Sequence, residues 1–303
     1  MKESVNYDEI IDFVLTHSNA FLLHLYPAIT DKYYCQIESV VSELSVLHYK
    51  QKVRLTRRGL INCKKISYSS QGDWVGNVGD RWFGLRKHAK KSIRGQYGST
   101  VVYVLTADGL DKMRELKTRI REIIDKGTWP CHITDTHQEA IELAQIYFNK
   151  NALLVINNRS ICYDVSTINK RIDELKKRLE AAKLSLSGII GVGSTPFCIA
   201  GIRKAKDFDF LALTKDYEII KDSIYSAHDS QLEYYPYTKQ ELITNSSHHF
   251  YYRGMKFVSL DVLLKMKLRR HEWPKDFKDI VRIYLCKVRV FILDKLVGFR
   301  WIV

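Results

Sequence analysis

The sequence predicts an α/β (α+β) chain built from two units, and three observations lead there. The 303 residues are enough for two domains. Residues 100–156 alternate short apolar runs with helical periodicity. Residues 189–213, IIGVGSTPFCIAGIRKAKDFDFLAL, form a second pattern: an apolar run, a Gly-Ser turn and a second apolar run that carries two carboxylates.

The elements follow in order. Residues 6–16 place Ile10, Ile11, Val14 and Leu15 on one face of a short helix, and residues 29–46 suggest another. Residues 53–60, VRLTRRGL, are similar to the end of a winged helix-turn-helix, but no recognition helix stands out. Residues 71–84, with glycines at 72, 76, 79 and 84, read as a loop. No strand leads into them and no clean helix follows, so they are not a dinucleotide fingerprint. VVYVLTA (101–107) reads as a buried strand. Residues 108–126 read as a helix with Leu110, Met113, Leu116, Ile120 and Ile123 at helical spacing and Gly127 as its stop. CHIT (131–134) is a short strand, 137–148 an amphipathic helix and ALLVI (152–156) a third strand. Such alternation implies a small α/β layer with right-handed crossovers. The boundary between units is expected near Asn157–Ser160, giving a first unit of 1–160 and a second of 161–303. Residues 166–184 form a charged helix with Ile168, Ile172, Leu175 and Leu179 in one stripe, the leading helix of the second unit.

Composition narrows the class. No apolar run approaches the ~18 residues of a membrane span, and MKESVNYDEIIDF is not a signal peptide. The six cysteines are scattered without a C-x-x-C, which suggests a reduced, cytoplasmic protein. The net charge of +14 is uneven: from Lys50 to Thr100 there are 13 Lys/Arg against two acids, Asp73 and Asp80. Tyr68, Trp74, Trp82, Phe83 and Tyr97 interleave them. Basic groups neutralise phosphates and aromatic faces stack on bases, so this segment is a candidate RNA- or DNA-binding surface. Arg57, Arg58, Lys64, Lys65, Arg86 and Lys87 are its candidate contacts. His132, Asp135, His137 and Glu139 are close enough to suggest a metal, but Thr136 and Glu139 fit a helix-opening capping box better. His248-His249 read as a surface pair entering a strand.

The chemistry lies in 189–213. Asp207 and Asp209 stand two apart on a strand, so their carboxylates share a face. Such a pair repels unless a cation sits between, and Mg²⁺, which brings substrate phosphates, is the usual cation. Gly193-Ser194 is then a phosphate cradle between strand and helix.

The combination of hydrophobic strand, Gly193-Ser194 and Asp207-x-Asp209 resembles the nucleotidyltransferase superfamily, the DNA polymerase β-like fold. Residues 251–283 add Ser259-Leu260, Lys267, Arg270 and Lys275-Asp276-Phe277-Lys278-Asp279, similar to the hairpin and capped helix of its small members. The resemblance covers the C-terminal part only. It implies a polymerase β-like domain with a C-terminal helical segment, moving a nucleoside monophosphate from an NTP to an acceptor hydroxyl. It further implies Mg²⁺ on Asp207 and Asp209, phosphates on Gly193 and Ser194, a third carboxylate at Glu233 and Lys267 facing the nucleotide. Asp276 and Asp279 are expected in ion pairs. Two departures stand: Thr195-Pro196-Phe197 where the family commonly has an Arg, and no evident carboxylate on a third strand besides Glu233. The alternative is a protein that keeps the fold without catalysis, binding nucleic acid or acting in a toxin–antitoxin or host-interaction system.

Overall fold

The computed structural model describes residues 6–27, 29–68, 83–93, 98–125, 127, 130–158 and 166–296. Most of the glycine-spaced stretch 71–84 lies outside these, as do Trp74, Trp82, Tyr97 and Cys162. The chain divides into two compact units, one up to Phe148 with the last residues from Leu293, the other Asn149–Ile292. Among the described residues no helix is long and apolar enough to cross a membrane.

The first unit carries helix α1 (Tyr7–Thr16), strand β1 (Ala20–Leu25), α2 (Tyr34–Leu44) and β2 (Val46–Leu55). It continues with α3 (Arg57–Ser67), α4 (Phe83–Ile93), β3 (Gly98–Thr106), α5 (Leu110–Ile124), β4 (Cys131–Ile133) and α6 (His137–Tyr147). Its sheet runs β2-β3-β1-β4 with every neighbour antiparallel. The expected right-handed crossovers are therefore absent from this sheet: β1, unanticipated, sits between β3 and β4. Residues 53–60 are the end of β2 and the start of α3, whose cap Thr56 accepts the Gly59 N–H at 3.0 Å.

ALLVI is helix, not strand. Asn149 Oδ1 accepts the N–H groups of Asn151 and Ala152 and opens α7 (Lys150–Asn158). A short apolar run has no period of its own to separate strand from helix. The cap decides here.

Alternation along β1 gives the first sheet two unlike faces. Phe21, Leu23 and Leu25 join Val101, Tyr103 and Leu105 in an apolar core against α2 and α5. The other face carries His24, directly opposite His132 on β4, and buries polar groups from the surrounding helices. Lys64 of α3 is only 1% exposed. Its Nζ lies 3.4 Å from the Tyr26 ring centroid and 3.0 Å from His88 Nδ1. His132 joins Tyr68 Oη at 3.1 Å and Glu139 Oε1 at 2.7 Å, while Tyr147 Oη meets His24 Nδ1 at 2.5 Å. His24 Nε2 is buried without a hydrogen-bond partner.

Burial drives the Lys64 amine far below its ordinary value. It lowers His24 and His132 in the same direction and His88 to about 3. Lys64 is thus an interior residue and is withdrawn from the candidate nucleic-acid surface. Arg57 and Lys87 are exposed, and Arg58, Lys65 and Arg86 are half-buried. Thr136 accepts the Glu139 N–H at 3.1 Å, as a cap should. The described residues hold no group of three or more His, Cys, Asp or Glu arranged for a metal.

The second unit adds α8 (Ser166–Ala181), β5 (Ile189–Gly191), α9 (Thr195–Ile199), β6 (Phe208–Ala212) and β7 (Tyr225–Ala227). Then come α10 (Lys239–Thr244), β8 (His249–Tyr252), β9 (Met255–Val258), α11 (Leu260–Arg270) and α12 (Lys275–Leu296). Its sheet runs β7-β6-β5-β9-β8. β5 is antiparallel to β6 and parallel to β9, and β6 is parallel to β7. The α8 stripe Ile168, Ile172, Leu175 and Leu179 is buried in the core of this sheet, as its spacing predicts. His249 is buried rather than on the surface, and the described cysteines are free.

Acid should expose the cost of burying His88. An unfolded histidine takes up its proton near pH 6.5, but folded His88 does so only near about 3. Between these values the unfolded chain binds more protons, so stability falls as pH drops through that window. Thermal midpoints from pH 7 to pH 4 should fall less steeply in His88→Gln than in the parent chain; equal slopes would contradict the assignment.

Candidate functional site at the β5–β6 turn

The site starts from a close backbone approach. β5 and β6 pair antiparallel, and just past the pair the Val192 N–H donates to Asp209 O at 2.9 Å. The chain must then leave the sheet under the Asp209 carboxylate. Gly193 does this at φ +60°, and a Cβ there would lie 2.0 Å from Asp209 Oδ2. Only glycine meets both demands. Ser194 and the short α9 follow, with Pro196 in the first turn, where its missing N–H costs nothing.

Asp209 lies within β6 and Asp207 immediately before it. Asp209 is half-buried and Asp207 exposed. Ser194 Oγ makes a long contact of 3.4 Å to Asp207 Oδ1. Ser226, opposite Asp209 on β7, donates to its Oδ1 at 2.7 Å. The next residue on that face is His228, whose N–H donates to Phe210 O at 2.8 Å. Burial lowers His228 below its ordinary value even though Asp209 and Asp207 pull it upward. Tyr235 Oη stands 3.4 Å from His228 Nδ1 and is also hydrogen-bonded to the Gly193 backbone. Burial raises its phenol.

The structure thus brings together Gly193, Ser194, Asp207 and Asp209. It does not bring Glu233 to them. Residues Asp229–Tyr234 form a 3₁₀ turn, not a strand, and Glu233 is exposed there. Glu233 instead lines an open groove of about 510 Å³ with Leu232, Tyr235, Pro236 and Tyr237. The third-strand position opposite Asp209 belongs to Ser226. Ser226, His228 and Tyr235 were missed from sequence. The available signal was Tyr225-Ser226-Ala227, a strand too short to declare itself.

Lys267 does not face the turn either. It is 4% exposed, with Nζ 2.9 Å from both Asp276 Oδ1 and Asp279 Oδ2. Arg270 grips Asp276 through Nε at 3.0 Å and Nη2 at 2.6 Å, and Arg203 grips Asp279 at 2.9 and 3.1 Å. Burial would raise the Asp276 carboxyl, but Arg270 and Lys267 outweigh it and hold it at about 2. These ion pairs match the sequence expectation for Asp276 and Asp279. They tie the chain after α9 to α11 and α12. Removing one partner of such a buried set typically costs about 3–5 kcal/mol. The cluster's field reaches the site: Arg270 and Lys267 both push His228 downward.

Comparison of the chain with protein-family models, curated proteins and solved structures finds no match.

The Gly193–Asp209 contact is testable by a double-mutant cycle. Gly193→Ala should destabilise the chain by about 2 kcal/mol or more, from left-handed strain and the collision. In an Asp209→Gly background the added cost should shrink by ~1 kcal/mol or more, within the range found for residues in contact. Additive costs in urea unfolding would show that the two positions do not touch.

Proposed function

We propose that Asn149–Ile292 is a nucleotidyltransferase-type domain that takes an NTP at the Gly193 turn and transfers its NMP to an acceptor hydroxyl, with loss of pyrophosphate. The observation that carries this reading is the Gly193-Ser194 turn packed against the Asp209 carboxylate, with Ser194 beside Asp207. The resemblance in sequence supports it. So does the order β7-β6-β5-β9-β8, which sets the carboxylate strand between its two neighbours.

Asp207 and Asp209 offer the oxygen donors that Mg²⁺ prefers, and they fit that ion. Bound there, Mg²⁺ would supply charge neutralisation for the phosphates and for the attacking and leaving oxygens. Ser226 holds Asp209 Oδ1 by a 2.7 Å bond, which fixes the carboxylate's rotation and leaves Oδ2 toward the turn. Gly193 admits a phosphate close to the main chain, and the Ser194 hydroxyl stands beside Asp207 to orient it. The exposed basic residues Arg57 and Lys87 of the other unit suit a nucleic-acid acceptor.

A second reading is favoured by one observation: β7 presents Ser226 opposite Asp209, not a carboxylate. On that reading the domain binds nucleotide or nucleic acid without turning it over.

The chain incubated with labelled NTPs, Mg²⁺ and total RNA should transfer label. Asp207→Asn and Asp209→Asn should each cut the rate by ~10³-fold, the scale of a lost preorganised charge at a transition state. Their melting temperatures should stay near that of the parent. Full activity in either variant would remove the pair from catalysis, and NTP binding with no transfer would select the second reading.

A further inference from the structure

The corner between α11 and α12 holds two large aromatic side chains in water. Trp273 is 72% exposed and Phe277 49%. Their rings pack against each other, centroids 4.7 Å apart and tilted by 45°. A single exposed aromatic needs no explanation, but this pair is held on a built corner. α11 ends at His271 in the left-handed region, its N–H on Lys267 O at 3.1 Å. The Glu272 N–H then donates to Asp276 Oδ2 at 3.0 Å, and the Asp276 N–H returns to Glu272 O at 2.8 Å. Asp276 is the carboxylate that Lys267 and Arg270 hold in the buried ion set. Trp273 thus stands on a fixed base, and an aromatic presented this way loses little freedom on binding.

Basic residues link this corner to the carboxylate pair. Lys275 and Lys278 are exposed on the first turns of α12, where Lys275 meets Glu272 at 3.4 Å. Arg203 grips Asp279 one turn further on, and its Nη1 donates to Lys204 O at 3.3 Å. The Lys204 backbone therefore lies against the guanidinium that holds α12. From there the chain runs through Lys206, whose carbonyl accepts from Arg171 Nη2 at 2.8 Å, to Asp207. Lys204 and Lys206 are both exposed. Lys204 lies three residues before Asp207, a reach of about 11 Å at most along the chain.

We propose that this face binds single-stranded nucleic acid: one unpaired base stacks on Trp273, and the backbone follows Lys204 and Lys206 toward Asp207 and Asp209. An aromatic face stacks any base and lysines neutralise the phosphates, the combination that single-strand sites use. A base in a duplex has its faces covered by its neighbours, so the surface selects single strands. That the strand is the acceptor of the transfer rests on the function proposed above; the binding itself does not.

The test reads binding without NTP or Mg²⁺, as the anisotropy of a short fluorescein-labelled oligouridine against the full chain across a salt series. The parent chain should bind at low salt. Trp273→Leu keeps an apolar side chain but no ring. It should weaken binding ~5-fold or more, the effect of one lost base stack, with melting unchanged because residue 273 faces water. Trp273→Phe should recover most of that loss. Lys204→Ala together with Lys206→Ala should flatten the log–log salt slope by ~1.4, the share of two phosphates on a single strand. No binding at low salt overturns the proposal and leaves the corner to a protein partner. Equal affinity of the parent and Trp273→Leu, equal losses in the Leu and Phe variants, or an unchanged salt slope also overturns it. If the strand binds through Trp273 but no label passes to it from an NTP, the transfer reading fails and this surface stands.

Discussion

The second unit is organised around one steric constraint: the Asp209 carboxylate occupies the space where a side chain at residue 193 would be. A Cβ there would stand 2.0 Å from Oδ2, so the turn after β5 must be glycine, and glycine in the left-handed region. That choice lets β5 and β6 approach to the end of their pairing. It puts Ser194 beside Asp207. Ser226 then fixes the carboxylate from the neighbouring strand, and Tyr235 closes the back of the turn. The Gly193 turn and the carboxylate pair adjoin because the same few atoms define both.

The buried ion set beneath the site works differently. Arg203, Lys267 and Arg270 share Asp276 and Asp279. Such groups seldom add net stability over apolar packing, because the cost of taking charge out of water is large. Their value here is geometric: they join the chain after α9 to two helices far along in sequence. The first unit shows the opposite treatment of interior polarity. Burial lowers the proton affinity of Lys64, His24, His88 and His132 there, and His132 meets Glu139.

Much of the candidate site was legible in the sequence because its determinants are local. Gly-Ser after an apolar run and two carboxylates two residues apart fix their own geometry once they lie on strands. Ser259 as a helix cap and the α8 stripe were legible for the same reason. What the sequence hid was non-local. β1 lies between β3 and β4 only because distant segments pair, and no local period announces that. ALLVI lacks a period long enough to separate strand from helix, and Asn149, the cap that decides it, lay just outside the run. Lys64 reads as one more charge in a basic segment, and only the sheet packed above it makes it a core residue. Glu233 has the flanks of a strand residue, but the turn from Asp229 takes it away from the site, and Ser226 stands in its place.

On the proposed function, a nucleotide's phosphates and their cation meet Gly193 and the Asp207–Asp209 pair. A crystal structure of the chain with a non-hydrolysable NTP and Mg²⁺ tests it most directly. The triphosphate is expected against the Gly193 turn and the ion at ~2.0–2.1 Å from oxygens of both Asp207 and Asp209, in octahedral geometry. A triphosphate bound elsewhere, or an ion that ignores either carboxylate at saturating nucleotide, would contradict it.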